Sequence, residues 1–152
     1  MDKDKKKALD CLHYEISMWE KTFQVLNNQY QTLDDITKNI YLESFLLHSR
    51  NLIDFLEDQK DSRDIRCSDF SITKKTVNLP THNSKNEIQK FLSHISWTRV
   101  TKTRPEWKFP KIKQAIAKEL QLFFKALPDN YFPTKKNKNR DDFNQLLSSL
   151  SS

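Results

Sequence analysis

The sequence contains no glycine at any of its 152 positions. Tight hairpin turns, phosphate-binding loops and dinucleotide-binding turns all favour glycine, because it adopts positive φ without steric cost. Its absence therefore argues against a β-rich fold, a P-loop and a Rossmann-type turn.

Cysteine is scarce, and metal-binding and nucleophile motifs are missing. Cys11 and Cys67 belong to no CxxC motif and no Cys/His cluster, so the sequence predicts no metal site. There is also no His-x-x-x-His or Glu-x-x-His pair and no serine nucleophile elbow, which argues against a small-molecule or metal enzyme. We therefore expect the protein to need no cofactor.

Long apolar runs are missing as well. No stretch reaches the length of about 18 uninterrupted apolar residues that a membrane span requires. The charged N-terminus leads into no apolar segment of the kind found in signal peptides. We therefore expect a reduced, cytoplasmic protein with no membrane contact.

The charge balance is mildly basic, with a formal net charge of +6. Four of the positive charges lie close together near the C-terminus, so the rest of the chain is only slightly basic: Lys135, Lys136, Lys138 and Arg140. Such a balance is typical either of ordinary solubility or of an anionic partner, most often nucleic acid.

Apolar residues recur at spacings of three and four, which is the pattern of amphipathic helices. The pattern predicts a sequence of helices at about residues 5–27, 35–57, 84–97, 110–127 and 141–150. We therefore predict an all-α bundle of four to five helices. Residues 1–130 are expected to form one helical domain, and residues 131–152 a polar linker with a short C-terminal amphipathic helix.

The connection between the second and third helices, residues 58–83, is long and has no sustained periodicity. Loops of this length in compact domains tend to be functional or mobile. A weak signal indicates a short strand near residues 70–77. Four apolar residues are expected to pin the connection to the core: Ile65, Phe70, Ile72 and Val77.

The second predicted helix carries a polar stripe on an otherwise apolar segment. At 100° per residue, Glu43, Arg50 and Asp54 lie within roughly 40° of one another, and Asn51 lies beside them. Buried ionisable groups need partners, so the stripe predicts either an internal network that also includes Lys90 or the wall of an active site. His94, at the border of the third helix's apolar face, is a packed residue or a catalytic one.

The segment from residue 97 to residue 113 alternates basic and aromatic side chains. Cations that meet the backbone and aromatic rings that stack on bases are typical of single-strand binding. The alternative is that the tryptophans belong to the core beneath a solvated loop. The candidate nucleic-acid-binding residues are Arg99, Lys102, Arg104, Trp107, Lys108 and Lys111.

Three phrases together resemble the small bacterial HEPN-like helical proteins. YLESFLLHSRNLIDFL is similar to the long helix of that group, EIQKFLSHISWTR to its later His-bearing helix, and WKFPKIKQAIAKELQLFFKAL to its terminal helix. The resemblance implies an up-and-down helical bundle with a long loop between helices 2 and 3. It also implies a metal-independent ribonuclease, a toxin–antitoxin or defence context, and dimerisation.

The resemblance implies His94, with Arg50 and Asn51, as the catalytic residues. The group's signature is an arginine, four to six further residues and then the histidine, whereas none of the residues from Glu87 to Lys90 before His94 is an arginine. Glu87 stands where the group has the arginine, and Gln89 stands where it has an asparagine. A lysine supplies charge without the planar bidentate fork of an arginine.

The sequence therefore supports two interpretations. The first is an RNA-associated HEPN-like protein with a degenerate catalytic motif. The second is a non-enzymatic helical module that works through dimerisation or a protein partner. The expected partners are RNA, a second copy of the chain, and an antitoxin or nucleotidyltransferase protein.

Overall fold

The computed structural model describes residues 4–59, 61, 63–93, 105–132 and 140–150. In these residues the secondary structure is helical throughout, which confirms the all-α prediction. The α-helices are α1 (Lys5–Gln29), α2 (Asp35–Leu56), α3 (Lys85–Ser93), α4 (Phe109–Ala126) and α5 (Arg140–Leu150). Short 3-10 helices lie at Cys67–Phe70 and Asp129–Tyr131.

Helix starts follow the capping residues in the sequence. The Thr37 backbone N–H donates to Asp34 Oδ1 at 3.0 Å, which satisfies one of the free amides at the start of α2. Before α3, the Ser84 N–H donates to Glu87 Oε2 at 2.7 Å and the Glu87 N–H donates to Ser84 Oγ at 3.3 Å. This reciprocal pair is the predicted capping box.

Helices α1 and α2 pack side by side in opposite directions. Trp19 Nε1 donates to Ser49 Oγ at 2.9 Å, and the rings of Phe23 and Phe45 lie 6.0 Å apart. Glu15, earlier in α1, contacts Asn51, later in α2. Because contacts run in reverse order along the two helices, the pair is antiparallel.

Helix α4 completes the core by laying its apolar stripe on α1 and α2. Phe109 contacts Phe45, and Phe123 contacts Phe55 with ring centroids 5.0 Å apart, so α4 runs parallel to α2. Helix α5 packs on the same side through Phe143, which is 1% exposed. The aromatic rings of the core form two contact groups: Trp19, Phe23, Phe45 and Phe109 in one, and Phe55, Phe70, Phe123, Phe124 and Phe143 in the other.

The predicted strand near residues 70–77 is wrong for these described residues. The chain instead forms the 3-10 helix and then an irregular segment, in which the Lys75 N–H donates to the Leu56 carbonyl at 2.7 Å. Phe70, Ile72 and Val77 are buried as predicted, whereas Ile65 is 38% exposed.

Candidate nucleic-acid interface

A cationic groove of about 1080 Å³ runs along α4, bordered by the end of α1 and by residues 78–81. Among the described residues that line it, the exposed lysines are Lys108, Lys111 and Lys118, and Glu119 is the one acid. Lys111 and Lys118 are seven residues apart, so they share one face of α4 about 10.5 Å apart along its axis. We call this feature the cationic groove.

Amide side chains supply the groove with further hydrogen-bonding capacity. Asn27, Asn78, Gln114 and Gln121 line it together with the lysines. Amides both donate and accept hydrogen bonds, so they suit sugars, phosphates and base edges. Lys108 stands at the N-terminal end of α4, where no side chain caps the helix and the helix dipole adds positive potential.

Lys113 differs from the other groove lysines because it is buried. Its Nζ lies 3.3 Å from Glu20 Oε2 and donates to the Ser149 carbonyl at 3.4 Å. Glu20 and Lys113 are the side chains of a buried ion pair that joins α1 to α4, with α5 closing over it. Glu20 Oε2 receives no well-directed hydrogen bond in the described residues, so charge attraction is its main interaction with Lys113. The groove therefore depends on its three exposed lysines for net charge.

The structure divides the predicted nucleic-acid-binding residues. Lys108 and Lys111 line the groove with exposed side chains. Trp107 is 8% exposed and packs on Phe91 with ring centroids 5.3 Å apart, so it lies in the core and offers no free face for stacking on a base. Arg99, Lys102 and Arg104 lie outside the described residues. Sequence reasoning missed Lys118, although its seven-residue spacing from Lys111 is a usable signal.

Asn83 fixes the groove's two walls to each other and is fully buried. Its Nδ2 donates to the carbonyls of His82 at 2.7 Å and Glu106 at 3.1 Å, and its Oδ1 accepts the Lys108 N–H at 2.8 Å. The Asn83 backbone N–H donates to the Pro80 carbonyl at 3.0 Å. Both hydrogens of the Asn83 side-chain amide therefore have an acceptor. No motif in the sequence marks this position.

Only part of the polar stripe of α2 forms ion pairs. Arg50 Nε lies 3.7 Å from Asp54 Oδ2, and Lys85 Nζ lies 3.1 Å from Asp54 Oδ1 and 3.9 Å from Glu57 Oε2. Lys85 thus bridges α2 to α3, in the place where Lys90 was expected. Glu43 and Lys90 are exposed, and within the described part of the chain neither forms an ion pair.

Asn51 belongs to a second cluster, on the α1 side of α2. Glu15 Oε2 accepts hydrogen bonds from His48 Nδ1 at 2.7 Å and from Asn51 Nδ2 at 3.1 Å. Burial by itself raises the pKa of Glu15, but the hydrogen bonds from His48 and Asn51 outweigh it, so the net pKa lies below the ordinary value. Glu15 was not singled out by sequence reasoning.

Arg50 and Asn51 line a small cavity of about 380 Å³ between α1 and α2, together with Glu15 and Asp64. His94, the third predicted catalytic residue, lies outside the described residues. The described residues include no group of three or more His, Cys, Asp or Glu side chains placed to hold a metal ion. The catalytic roles of Arg50, Asn51 and His94 thus stay predictions.

In the described part of the chain, every helix is too short or too polar to cross a bilayer. Comparison of the chain with protein-family models, with curated proteins and with solved structures finds no match.

Proposed function

We propose that this protein is an RNA-associated, HEPN-like helical protein that binds the phosphate backbone of RNA in the cationic groove. The observation that carries the proposal is the exposed row Lys108, Lys111 and Lys118 against a single lining acid, Glu119. The proposed setting is bacterial toxin–antitoxin or defence, with an antitoxin or nucleotidyltransferase protein as partner. If the protein cleaves RNA, the reaction is metal-independent and uses His94.

Several features support phosphate as the ligand chemistry. Ammonium groups on a helix face bind successive backbone phosphates as point charges, and the positive end of α4 adds to the attraction. The amides Asn27, Asn78 and Gln114 provide uncharged contacts beside the lysines. Because Trp107 is buried, the proposal relies on backbone contacts and predicts weak preference among base sequences.

The test is the salt dependence of binding to a short labelled oligouridine, measured by fluorescence anisotropy. Phosphate contacts release counterions, so each lost contact to single-stranded nucleic acid reduces the slope of log K against log salt by about 0.7. The double variant K111Q/K118Q should reduce the slope by about 1.4 and weaken binding roughly tenfold at physiological salt.

K21Q is the matched control. Lys21 is exposed on α1 but is not part of the groove, and it lies about 160° around the helix from Phe23, which lines the groove. This variant should bind as the wild type does. Equal losses in K21Q and K111Q/K118Q, or binding that ignores salt, would refute the proposal.

A second candidate function, a helical dimerisation module, is favoured by the outer face of α2. Ile36, Ile40 and Leu47 are 74%, 60% and 44% exposed and lie within about 40° of one another on that face. With Glu43 they follow a 4-3-4 spacing, which is the spacing of a coiled-coil seam. A second copy of the chain, placed antiparallel, would bring Ile36 of one copy opposite Leu47 of the other.

Sedimentation over a range of protein concentrations tests this candidate. The wild type should dimerise, and I40E should be monomeric because it places a second carboxylate opposite Glu43 of the other copy, where like charges repel. L122E is the control, since Leu122 is 45% exposed on α4 and lies outside the seam. A wild-type protein that stays monomeric at every concentration contradicts the dimerisation function and leaves the RNA proposal intact.

A further inference from the structure

The side chain of Asn83 joins two parts of the chain that are far apart in sequence. Helix α3 begins two residues after Asn83, and Glu106 and Lys108 lie just before α4. The Asn83 side chain binds the backbone on both sides of Trp107, at Glu106 and Lys108. Pro80 and Thr81, three and two residues before Asn83, form one wall of the groove, and Lys108 forms part of the other.

We infer that Asn83 is the positioning residue of the cationic groove: it holds the backbone of Lys108 so that the lysine side chain faces the ligand. This inference rests on the proposed binding of RNA phosphate in the groove. Asn83 is fully buried and does not line the groove, so it acts through Lys108 and not on the ligand.

The chemistry of the residue fits this role closely. An asparagine amide offers two donors and an acceptor in one plane, so it pairs with a backbone carbonyl and a backbone N–H as another peptide group would. Here it pairs with the Glu106 carbonyl and the Lys108 N–H, and its remaining hydrogen goes to the His82 carbonyl. An alanine leaves all three backbone groups without these partners.

A double-mutant cycle separates positioning from general stability. The salt slope of oligouridine binding is measured for the wild type, N83A, K108Q and N83A/K108Q. If Asn83 acts through Lys108, N83A reduces the slope by about 0.7, as K108Q does, and the double variant shows no further reduction. Equal effects of N83A in the two backgrounds overturn the inference.

Hydrogen exchange gives a readout that does not depend on RNA. N83A should speed exchange of the backbone amides at residues 106–112 and leave those of α1 unchanged, and a uniform change along the chain would overturn a local role. If N83A does not fold, N83S takes its place in the cycle, because its hydroxyl is uncharged and can still form a hydrogen bond with one of the three backbone groups. For N83S we expect a reduced slope in the wild-type background and no further reduction in K108Q, and equal reductions in both backgrounds overturn the inference. A wild type without salt-dependent binding refutes the proposed function and this inference together, whereas an additive cycle refutes the inference alone.

Discussion

Single residues in this chain take conformations that other proteins give to glycine. Asp58, Ser71 and His82 have φ values of 55°, 59° and 65°, in the left-handed region. Such a conformation costs a residue with a Cβ about 1–2 kcal/mol, although Asp and His tolerate it better than most. Asp58 offsets part of this cost because its Oδ1 accepts the Ser68 N–H at 3.0 Å. The lack of glycine therefore excludes nucleotide-binding loops more firmly than it excludes tight turns.

Glu15 makes the stability of the protein sensitive to acid. Its pKa in the folded protein lies below the ordinary value of 4.5, because the hydrogen bonds from His48 and Asn51 outweigh the effect of burial. A carboxyl with a lowered folded pKa stabilises the fold above its unfolded pKa, and this contribution is lost as pH falls through the folded pKa. We expect E15Q to be less stable than the wild type at neutral pH, with a difference that shrinks as pH falls below 4.5.

Urea unfolding of both proteins across this pH range measures the difference. Asp4, Asp34 and Asp61 also have lowered pKa values, through hydrogen bonds from Lys7, Thr37 and Arg63. These three aspartates lie away from Glu15 and are common to both proteins, so the difference reports Glu15 together with its partner His48. A stability difference that is the same at neutral and acid pH would contradict the assigned role of the Glu15–His48 bond.

At the scale of elements, the helices were predictable because their signals are local. Asp34, the Ser84/Glu87 box and Pro110 mark where helices begin, and the structure starts α2, α3 and α4 within a residue or two of them. The apolar stripes then specify the faces that pack. The prediction of a strand near residues 70–77 was wrong because Phe70 and Val77 are buried in another way. They belong to a 3-10 helix and to the irregular segment after it, which is attached to the end of α2 and pairs with no neighbouring strand in the described residues.

The side chains that line and support the groove were harder to predict because their positions depend on contacts between elements that are distant in sequence. The sequence offered Trp107 either as a stacking residue or as a core residue, and the structure buries it, as it buries Lys113 of the same basic segment. Lys113 directly follows Ile112 and stands beside the stripe formed by Ile116 and Leu120, and only the position of Glu20 on α1 explains why a lysine is tolerated there. Asn83 shows the same limit, since two of the three backbone groups that its side chain binds are more than 20 residues away.

At the scale of the whole molecule, the Glu20–Lys113 pair links three helices and should govern global stability. Both side chains are below 10% exposed, and Lys113 also reaches the Ser149 carbonyl of α5. Removing one partner of a buried pair leaves an uncompensated charge, which costs about 3–5 kcal/mol. Replacing both partners with apolar side chains of similar volume is often neutral, because both desolvation penalties disappear.

We therefore expect K113M to lower the free energy of unfolding by about 3–5 kcal/mol, and E20M/K113M to recover most of that loss. Urea unfolding, followed by circular dichroism, measures the free energy of unfolding of each variant. K7M is the matched control, because Lys7 pairs with Asp4 in solvent with its side chain 81% exposed and should change stability little. The single variant E20M completes the comparison. If E20M/K113M loses as much free energy of unfolding as E20M and K113M lose together, the two charges act independently. The pair would then not be the element that holds α1, α4 and α5 together, and α5 should stay docked in K113M through its buried Phe143 and Leu150.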